Sequence, residues 1–427
     1  MNIKAVILAA GKGTRMKSET TPKVLHEIMG KSLLGYVLDN VKNFVSEEFV
    51  IVGHHAQEVE KFVKENYTSA QTVLQSPQLG TGHAVSMVCP YLEHFDGVVL
   101  ILCGDTPLIK EETLKKFVDF HIANKSDLTV MSTMFDNPAN YGRIIRDNDN
   151  SLKCIVEEKD ATAEQKNVKE VNAGIYCLNW AKIKPAFSQL KSNNAQGEYY
   201  LTDIISWGKE QGLNVNAYIL ENSDEIYGIN SRVQLAEAAK IMNKRNLEKY
   251  MLDGVTIVDP DSTWISEDTE IGQDTIIYPA TYIEGKNKIG KRCKVGPCAH
   301  LRGGVEIGDN VKVGNFVEVK KSKISSNTNV GHLSYIGDSE LGEHVNIGAG
   351  TITANYNPLT ETKSKTVLKD NVKIGSNSVL VAPVTLEEGA NVGAGGIITK
   401  NIPAWSLALT RSPLKVIADW VKNQLSK

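Results

Sequence analysis

Residues 265–296 read ISEDTE IGQDTI IYPATY IEGKNK IGKRCK VG when cut at every sixth position. An aliphatic residue opens each block: Ile265, Ile271, Ile277, Ile283, Ile289 and Val295. The period continues through Leu301, Ile307, Val313 and Val319, slips by one to Ile324, and runs on through Val330 and Ile336. It slips again to Leu341 and Ile347, breaks, and resumes at Leu368, Ile374, Leu380, Leu386, Val392 and Ile398. Glycine often follows the aliphatic residue, as at Gly272, Gly290, Gly296, Gly308, Gly314 and Gly348, and a small or β-branched residue often holds the fifth place, as at Thr269, Thr275 and Val311. A fixed six-residue period marks a parallel β-helix, in which each block is one short strand plus a turn. The aliphatic residue points into a narrow core, and glycine is expected to supply the turn conformation that other residues resist.

The break, residues 353–366, is polar and carries Asn355, Tyr356, Asn357, Pro358, Lys363 and Lys365. A long insertion between repeats is more often functional than structural. Past Ile402-Pro403, the spacing of Leu414, Ile417, Trp420, Val421 and Leu425 suits a short amphipathic helix over Leu414 to Leu425, expected to pack back on the end of the β-helix.

Working upstream, residues 232–252 read as one helix, with nothing to break it before Asp253-Gly254. Before it, short apolar runs alternate with helical patterns. Ile3 to Ala9, Phe49 to Val52, Thr72 to Leu74, Val98 to Cys103 and Leu128 to Ser132 read as strands, with further strands at Ile144 to Arg146, Lys153 to Glu157 and Val171 to Cys177. Leu33 to Phe44, Gln57 to Glu65 and Glu111 to Ala123 read as helices. Such alternation implies an α/β domain with a mainly parallel, Rossmann-like sheet covered on both faces. The expected organisation is an α/β domain over 1–228, a linker helix over 229–253 and a β-helix with a short terminal helix over 254–427.

The 427 residues carry 47 Lys plus Arg against 50 Asp plus Glu, a net charge of −3. That balance argues against a general nucleic-acid binder, which needs a basic surplus. With 41% hydrophobic and 23% charged residues the chain is globular in composition. Its most apolar interior run, Val98 to Cys103, is far short of a membrane span. The apolar start is too short for a signal peptide. The six cysteines form no C-x-x-C pair and read as reduced, mostly buried thiols, so a cytoplasmic setting is expected.

After the first strand comes Leu8-Ala9-Ala10-Gly11-Lys12-Gly13-Thr14-Arg15-Met16. A dinucleotide fingerprint needs Gly or Ala where Met16 stands, and the P-loop pattern is absent. What remains is a short glycine turn at a strand's C-terminal end, where open α/β sheets bind ligands and exposed amides can cradle phosphates. Lys12, Arg15 and, after Pro22, Lys23 bring cations to the same place. Taken alone, an ordinary strand–helix turn with solvated lysines is as good a reading. Asp105, just past Val98 to Cys103, reads by itself as a turn-capping aspartate.

The whole string, with Gln75, Leu79-Gly80-Thr81-Gly82 and Gly104-Asp105, resembles the sugar-1-phosphate nucleotidylyltransferases. Together with the hexapeptide domain it is similar over essentially the full chain to the bacterial bifunctional N-acetylglucosamine-1-phosphate uridylyltransferase and glucosamine-1-phosphate N-acetyltransferase family. The resemblance implies UTP or UDP-sugar contacts from Leu8, Ala9, Ala10, Gly11, Lys23, Gln75, Gly80, Thr81, Cys103, Gly104 and Asp105. It implies amino-sugar contacts from Gly142, Glu157 and Asn172, and Mg²⁺ held by Asp105 and Asn230. Arg15 and Lys23 would stabilise charge on the α-phosphate and the leaving pyrophosphate. The chemistry is compatible, since a sparse oxygen shell suits Mg²⁺ and the sugar phosphate is itself the nucleophile.

In the repeats the resemblance implies glucosamine-phosphate binding by Arg302, Lys320, Tyr335 and Asn346, with Lys363 nearby. It implies acetyl-coenzyme A binding by Ala349, Asn355, Tyr356, Ser376, Ala394 and Arg411. His332 would be the general base for the sugar amine, a task suited to a side chain that titrates near neutrality. Glu318 is the candidate to orient its other ring nitrogen. The resemblance further implies a homotrimeric left-handed β-helix with acyl-transfer sites between subunits, and a product that feeds cell-wall and lipopolysaccharide precursors. Two departures stand out: Cys103 replaces the family's usual Tyr, and Val295-Gly296-Pro297 runs directly into Cys298-Ala299-His300-Leu301-Arg302, so the β-helix is shortened by coils that usually precede that Leu-Arg. Two rival readings remain, a single-activity uridylyltransferase with a scaffold β-helix and a non-catalytic regulatory subunit.

Overall fold

The computed structural model describes residues 2–410 and 413–425. The chain forms two compact units that divide between Ile241 and Met242. Six cysteines are free, of which Cys177 and Cys293 are buried and the other four half-buried.

In the first unit nine strands form one sheet: β1 (Ile3–Leu8), β2 (Glu47–Val52), β3 (Ala70–Leu74), β4 (Val98–Cys103), β5 (Leu128–Met134), β6 (Arg143–Arg146), β7 (Leu152–Val156), β8 (Glu170–Asn179) and β9 (Val215–Leu220). The main order is β9-β5-β8-β4-β1-β2-β3, with β6 and β7 attached through β8. Alternate residues of one strand serve opposite cores. Ala5 and Ile7 join one cluster and Val6 the other; Leu100 and Leu102 likewise separate from Val99 and Ile101. Both faces are therefore covered, which is why these runs read as continuously apolar.

The sheet is mainly parallel, as expected, with two reversed strands, β8 and β7. Pairs β1–β2, β1–β4, β2–β3 and β5–β9 are parallel. Strand β8 runs antiparallel to β4, β5 and β6, and β6 pairs antiparallel with β7. Apolar patterning reports burial and not direction, so this reversal left no mark in the sequence. The helix expected over Leu33 to Phe44 spans only Leu33–Asp39. Ser32 caps its start by accepting from the Gly35 amide at 3.0 Å.

In the second unit short parallel strands stack in three sheets of nine, eight and seven strands, one per face of the β-helix. Ile277, Val295 and Val313 stand in register in one sheet, Ile283, Leu301 and Val319 in the next, and Ile289 and Ile307 in the third. All enter one core cluster. The single-residue slips fall at Lys321 and Asp338, whose φ of 45° and 46° tighten those corners. Glu270, Lys288, Glu306, Lys323 and Glu340 alternate in sign on successive coils, a ladder of opposite-charge cross-strand pairs that favours this register. The helix Arg232–Leu252 closes the core with its second half, where Leu247 and Tyr250 are buried and the Asn243 amide donates to Thr263 O at 2.7 Å.

Two expectations for this unit fail. Of the glycines quoted after aliphatic residues, only Gly296 has a positive φ; left-handed corners fall at other positions, on Asp274, Arg292, Asn310, Asn327, His344 and Asn371 and on glycines such as Gly285, Gly303 and Gly350. The glycines serve close approach between coils. A Cβ on Gly314 would lie 1.9 Å from Gly331 O, and one on Gly290 2.5 Å from Gly308 O. The terminal helix is confined to Trp420–Leu425, and it does not pack back: Leu414, Val416, Ile417, Trp420, Val421 and Leu425 are all exposed. Six residues make too short a helix to persist without a packed face. The break forms a two-stranded hairpin, Tyr356–Asn357 against Thr362–Lys363.

Candidate active sites

Leu8 pairs with Cys103, and Val52 with Leu74, so the loops after β1, β4, β2 and β3 open at one edge of the sheet. A pocket of about 470 Å³ lies there, lined by Leu8 through Arg15, Lys23, Val24, Gln75, Gln78, Gly80, Thr81, Ala84, Cys103, Asp105, Glu198 and Asn230. Roomier surface grooves, such as that of about 840 Å³ beside Cys89 and Trp180, lack this convergence of a glycine turn, cations and a carboxylate. Gly13 lies at φ 59°, and its carbonyl accepts from the Met16 amide at 2.9 Å to start a single turn over Thr14–Met16. Met16 is buried and anchors that turn while Lys12 and Arg15 stay exposed.

The Lys23 ammonium contacts Asp105 Oδ2 and lies 3.1 Å from Asn230 Oδ1. Asn230 reaches this point because the Ile229 amide bonds Asp105 O at 3.0 Å. Two hard oxygens thus meet at one cationic centre, and Asp105 and Asn230 could hold a divalent cation in its place. Among the described residues no three His, Cys, Asp or Glu side chains gather to hold a metal.

Near Cys103, whose Sγ lies 3.6 Å from Gly174 O, stands a polar cluster. A Cβ on Gly142 would lie 3.4 Å from Glu157 Oε2 and 3.6 Å from Asn172 Cβ, so these three meet. A bulge in β8 after Asn172 turns the chain, and Asn172 Oδ1 accepts from the Gly174 amide at 2.9 Å while its Nδ2 donates to Tyr176 OH at 2.8 Å. Burial pushes the Glu157 carboxyl up; a bond from the Thr202 hydroxyl opposes this, and Asp203, Asp160 and Glu198 reinforce it. Burial, aided by Asp105, pushes the Cys103 thiol up to about 12, so it stays protonated beside Gly174 O. At the other end, Gln75 is buried and donates to Gly80 O at 2.9 Å. Thr81 Oγ1 accepts from the Leu201 amide at 3.0 Å, which fixes the Gly80-Thr81 loop.

On the β-helix, Arg302, Lys320 and Gly337 form one column, and His300, Glu318 and Tyr335 the adjacent one. Arg302 Nη1 donates to Glu318 Oε1 at 2.9 Å. This bond, with Glu284 nearby, raises the guanidinium pKa. Glu318 thus bonds Arg302 on one sheet, while His332 aligns with Asn315 on another. The His332 ring is exposed and bonds no described residue. Asn346 lies on the His332 sheet, one coil further on. Asn355 is buried and donates to Tyr335 OH at 3.5 Å and to Asp338. Ala349, Ser376 and Ala394 each follow the glycine of successive coils and form a turn column, with the Asn377 amide on Ala349 O at 2.7 Å and the Gly395 amide on Ser376 O at 2.8 Å. Tyr356 and Lys363 pair across the exposed hairpin. Arg411 lies outside the described residues.

A nucleotidyl transferase family model matches residues 4–240. Models of the bacterial transferase hexapeptide and of the hexapeptide repeat of succinyl-transferase match residues 287–321 and 368–400. Relatives named bifunctional protein GlmU, from Alkaliphilus metalliredigens and Clostridioides difficile, are each 44% identical, over 99% and 100% of this chain and 99% of their own length. The chain belongs to the GlmU family. Its GlmU alignments run to 458 and 461 positions against 427 residues, so the relatives hold positions this chain cannot fill, on the order of two coils. Sequence reading missed His83, whose Nδ1 lies 3.1 Å from Gln75 Nε2, although it directly follows Leu79-Gly80-Thr81-Gly82. It also missed Thr202 and Tyr176, which hold Glu157 and Asn172 and carry no local motif.

Proposed function

We propose that this chain, as a GlmU enzyme, makes UDP-N-acetylglucosamine by two transfers at two sites. The observation that carries the reading is the meeting of Lys23, Asp105 and Asn230 beside the glycine turn. In the first unit, UTP lies along Leu8 to Gly11 with its base at Gln75 and Gly80-Thr81. The amino-sugar end of N-acetylglucosamine-1-phosphate lies on Gly142, Glu157 and Asn172. The sugar phosphate oxygen attacks the α-phosphorus and pyrophosphate leaves, so catalysis consists of alignment and charge neutralisation. Arg15 and Lys23 neutralise the α-phosphate and the departing pyrophosphate. Asp105 and Asn230 would hold Mg²⁺, which supplies Lewis-acid charge neutralisation on the phosphates when bound.

In the β-helix, acetyl-coenzyme A lies along the Ala349, Ser376 and Ala394 turns with Asn355, Tyr356 and Arg411. The phosphate of glucosamine-1-phosphate lies on Arg302 and Lys320, with Tyr335, Asn346 and Lys363. The sugar nitrogen attacks the thioester carbonyl, His332 accepts the amine proton, and coenzyme A leaves as its thiol. These residues are spread over two sheets, the corner between them and a projecting hairpin, which supports a homotrimer that completes each site from neighbouring copies. Among the described residues no helix is long and apolar enough to cross a membrane; the reduced cysteines and small-molecule substrates support a cytoplasmic enzyme. Asp105→Ala should abolish UDP-N-acetylglucosamine formation and leave acetyl transfer nearly unchanged. Equal loss of both in a folded variant would contradict the two-site reading.

A further inference from the structure

The Gln75 side chain is 3% exposed, yet it lines the nucleotide pocket. Its amide nitrogen has two partners, Gly80 O at 2.9 Å and His83 Nδ1 at 3.1 Å. A carbonyl oxygen can only accept, so the side of the amide facing Gly80 must be the NH₂. An amide nitrogen can only donate, so His83 Nδ1 must be the acceptor, and the ring is neutral with its proton on Nε2. Both amide protons are thereby used. Oε1 bonds no described residue and is not among the sealed, unpartnered atoms, so it is what Gln75 offers to the pocket. His83 itself does not line the pocket; it stands behind Gln75 on the helix Thr81–Ser86, its ring 6.4 Å from that of Tyr199.

We propose that His83 is a positioning residue that locks the Gln75 amide with its oxygen toward the nucleobase, and so selects a base with a ring N–H over one without. Uracil carries N3–H, which Oε1 can accept. Cytosine carries a lone pair at N3, which would face the Oε1 lone pairs. A site built to bond a donor rejects the analogue that lacks it, because its buried acceptor is left unpaired. Burial lowers the His83 pKa and thus favours the neutral ring the arrangement needs. The proposal rests on the uridylyl-transfer reading above.

The test compares full-length wild type, His83→Leu, His83→Asn and Gln75→Ala with N-acetylglucosamine-1-phosphate and either UTP or CTP, with thermal melts to verify folding. His83→Leu keeps bulk but removes the acceptor. It should raise the UTP KM about tenfold with kcat within about twofold, and lower the UTP-over-CTP preference by a similar factor, the usual worth of one hydrogen bond. His83→Asn, whose Oδ1 branches from Cγ as Nδ1 does, should restore both to within about threefold. Unchanged KM and preference in His83→Leu, or no rescue by His83→Asn, would overturn the proposal. Gln75→Ala separates the two levels. If it loses preference while His83→Leu keeps it, only the His83 role fails. If Gln75→Ala also keeps the preference, Gln75 does not read the base and that part of the uridylyl reading fails.

Discussion

One added methyl group at Gly13 should disable uridylyl transfer while leaving the fold in place. Gly13 lies at φ 59°, where alanine costs about 1–2 kcal/mol. Its Cβ would sit 2.7 Å from Lys23 Cβ and 3.5 Å from Lys23 Cγ. Ordinary carbon contacts need about 3.5–4.0 Å, so one side must move by about 1 Å. Lys23 stands between buried Pro22 and Val24, and the Thr14–Met16 turn is anchored by buried Met16 and by Arg232 Nε on Met16 O at 3.2 Å, so neither side yields without strain. Whichever gives, the glycine turn and Lys23 lose the mutual placement that the nucleotide phosphates need. A misplacement of that size costs about 10²-fold in an aligned reaction. The assay is pyrophosphate release from UTP and N-acetylglucosamine-1-phosphate by Gly13→Ala, with acetyl transfer by the same sample expected to be unchanged. Gly30→Ala is the control: φ is 84° with no atom within 4 Å of the added Cβ, so it carries backbone strain without pushing Lys23. Its kcat/KM should stay within a few-fold of wild type. Activity of Gly13→Ala within threefold of wild type, or an equal loss in Gly30→Ala, would rule out the Gly13–Lys23 clash as the cause.

Three further outcomes are expected. His332→Ala should lower acetyl transfer by about 10²- to 10⁴-fold and spare uridylyl transfer, measured by coenzyme A thiol release; activity within a few-fold of wild type would remove His332 as the base. Gly314→Ala should lower the melting transition of the β-helix and its acetyl transfer, because the Cβ would lie 1.9 Å from the Gly331 carbonyl oxygen. Gly331→Ala, with nothing within 4 Å, should do neither, and similar melts of the two would contradict the close-approach argument. Buried His121 donates to or accepts from Thr129 Oγ1 at 2.8 Å, and burial, opposed by Asp127, pushes its pKa from 6.5 down to about 4. Between those values the unfolded chain binds a proton that the folded one refuses, so stability should be complete above about pH 6.5 and fall as pH drops toward 4. Urea midpoints should show a smaller decline in His121→Gln than in wild type, and equal declines would show that other groups set the slope.

The β-helix was legible because each coil repeats one inward aliphatic residue, and repetition turns a weak local signal into a register, as Ile277, Val295 and Val313 show. The role of its glycines was not, since the clash that excludes a Cβ at Gly314 comes from the next coil. Strand positions in the first unit were legible from apolar runs, but the direction of Glu170–Asn179 was not, because a strand buried on both faces reads alike either way. Lys23, Asp105 and Asn230 are separated by 82 and 125 positions, and only the sheet edge brings them together. The Arg302–Glu318 bond was not legible for the same reason, since coil stacking and not sequence spacing sets Glu318 against Arg302. The tail around Trp420 shows the limit of helical spacing, which marks an apolar stripe but not a surface to receive it.

One chain is expected to perform both transfers in series. Purified protein incubated with glucosamine-1-phosphate, acetyl-coenzyme A, UTP and Mg²⁺, with products identified by mass, tests it directly. The products should be UDP-N-acetylglucosamine, coenzyme A and pyrophosphate, and N-acetylglucosamine-1-phosphate alone should accumulate when UTP and Mg²⁺ are withheld. No acetylated product, with added N-acetylglucosamine-1-phosphate still converted to the UDP-sugar, would contradict it and leave the β-helix as a scaffold.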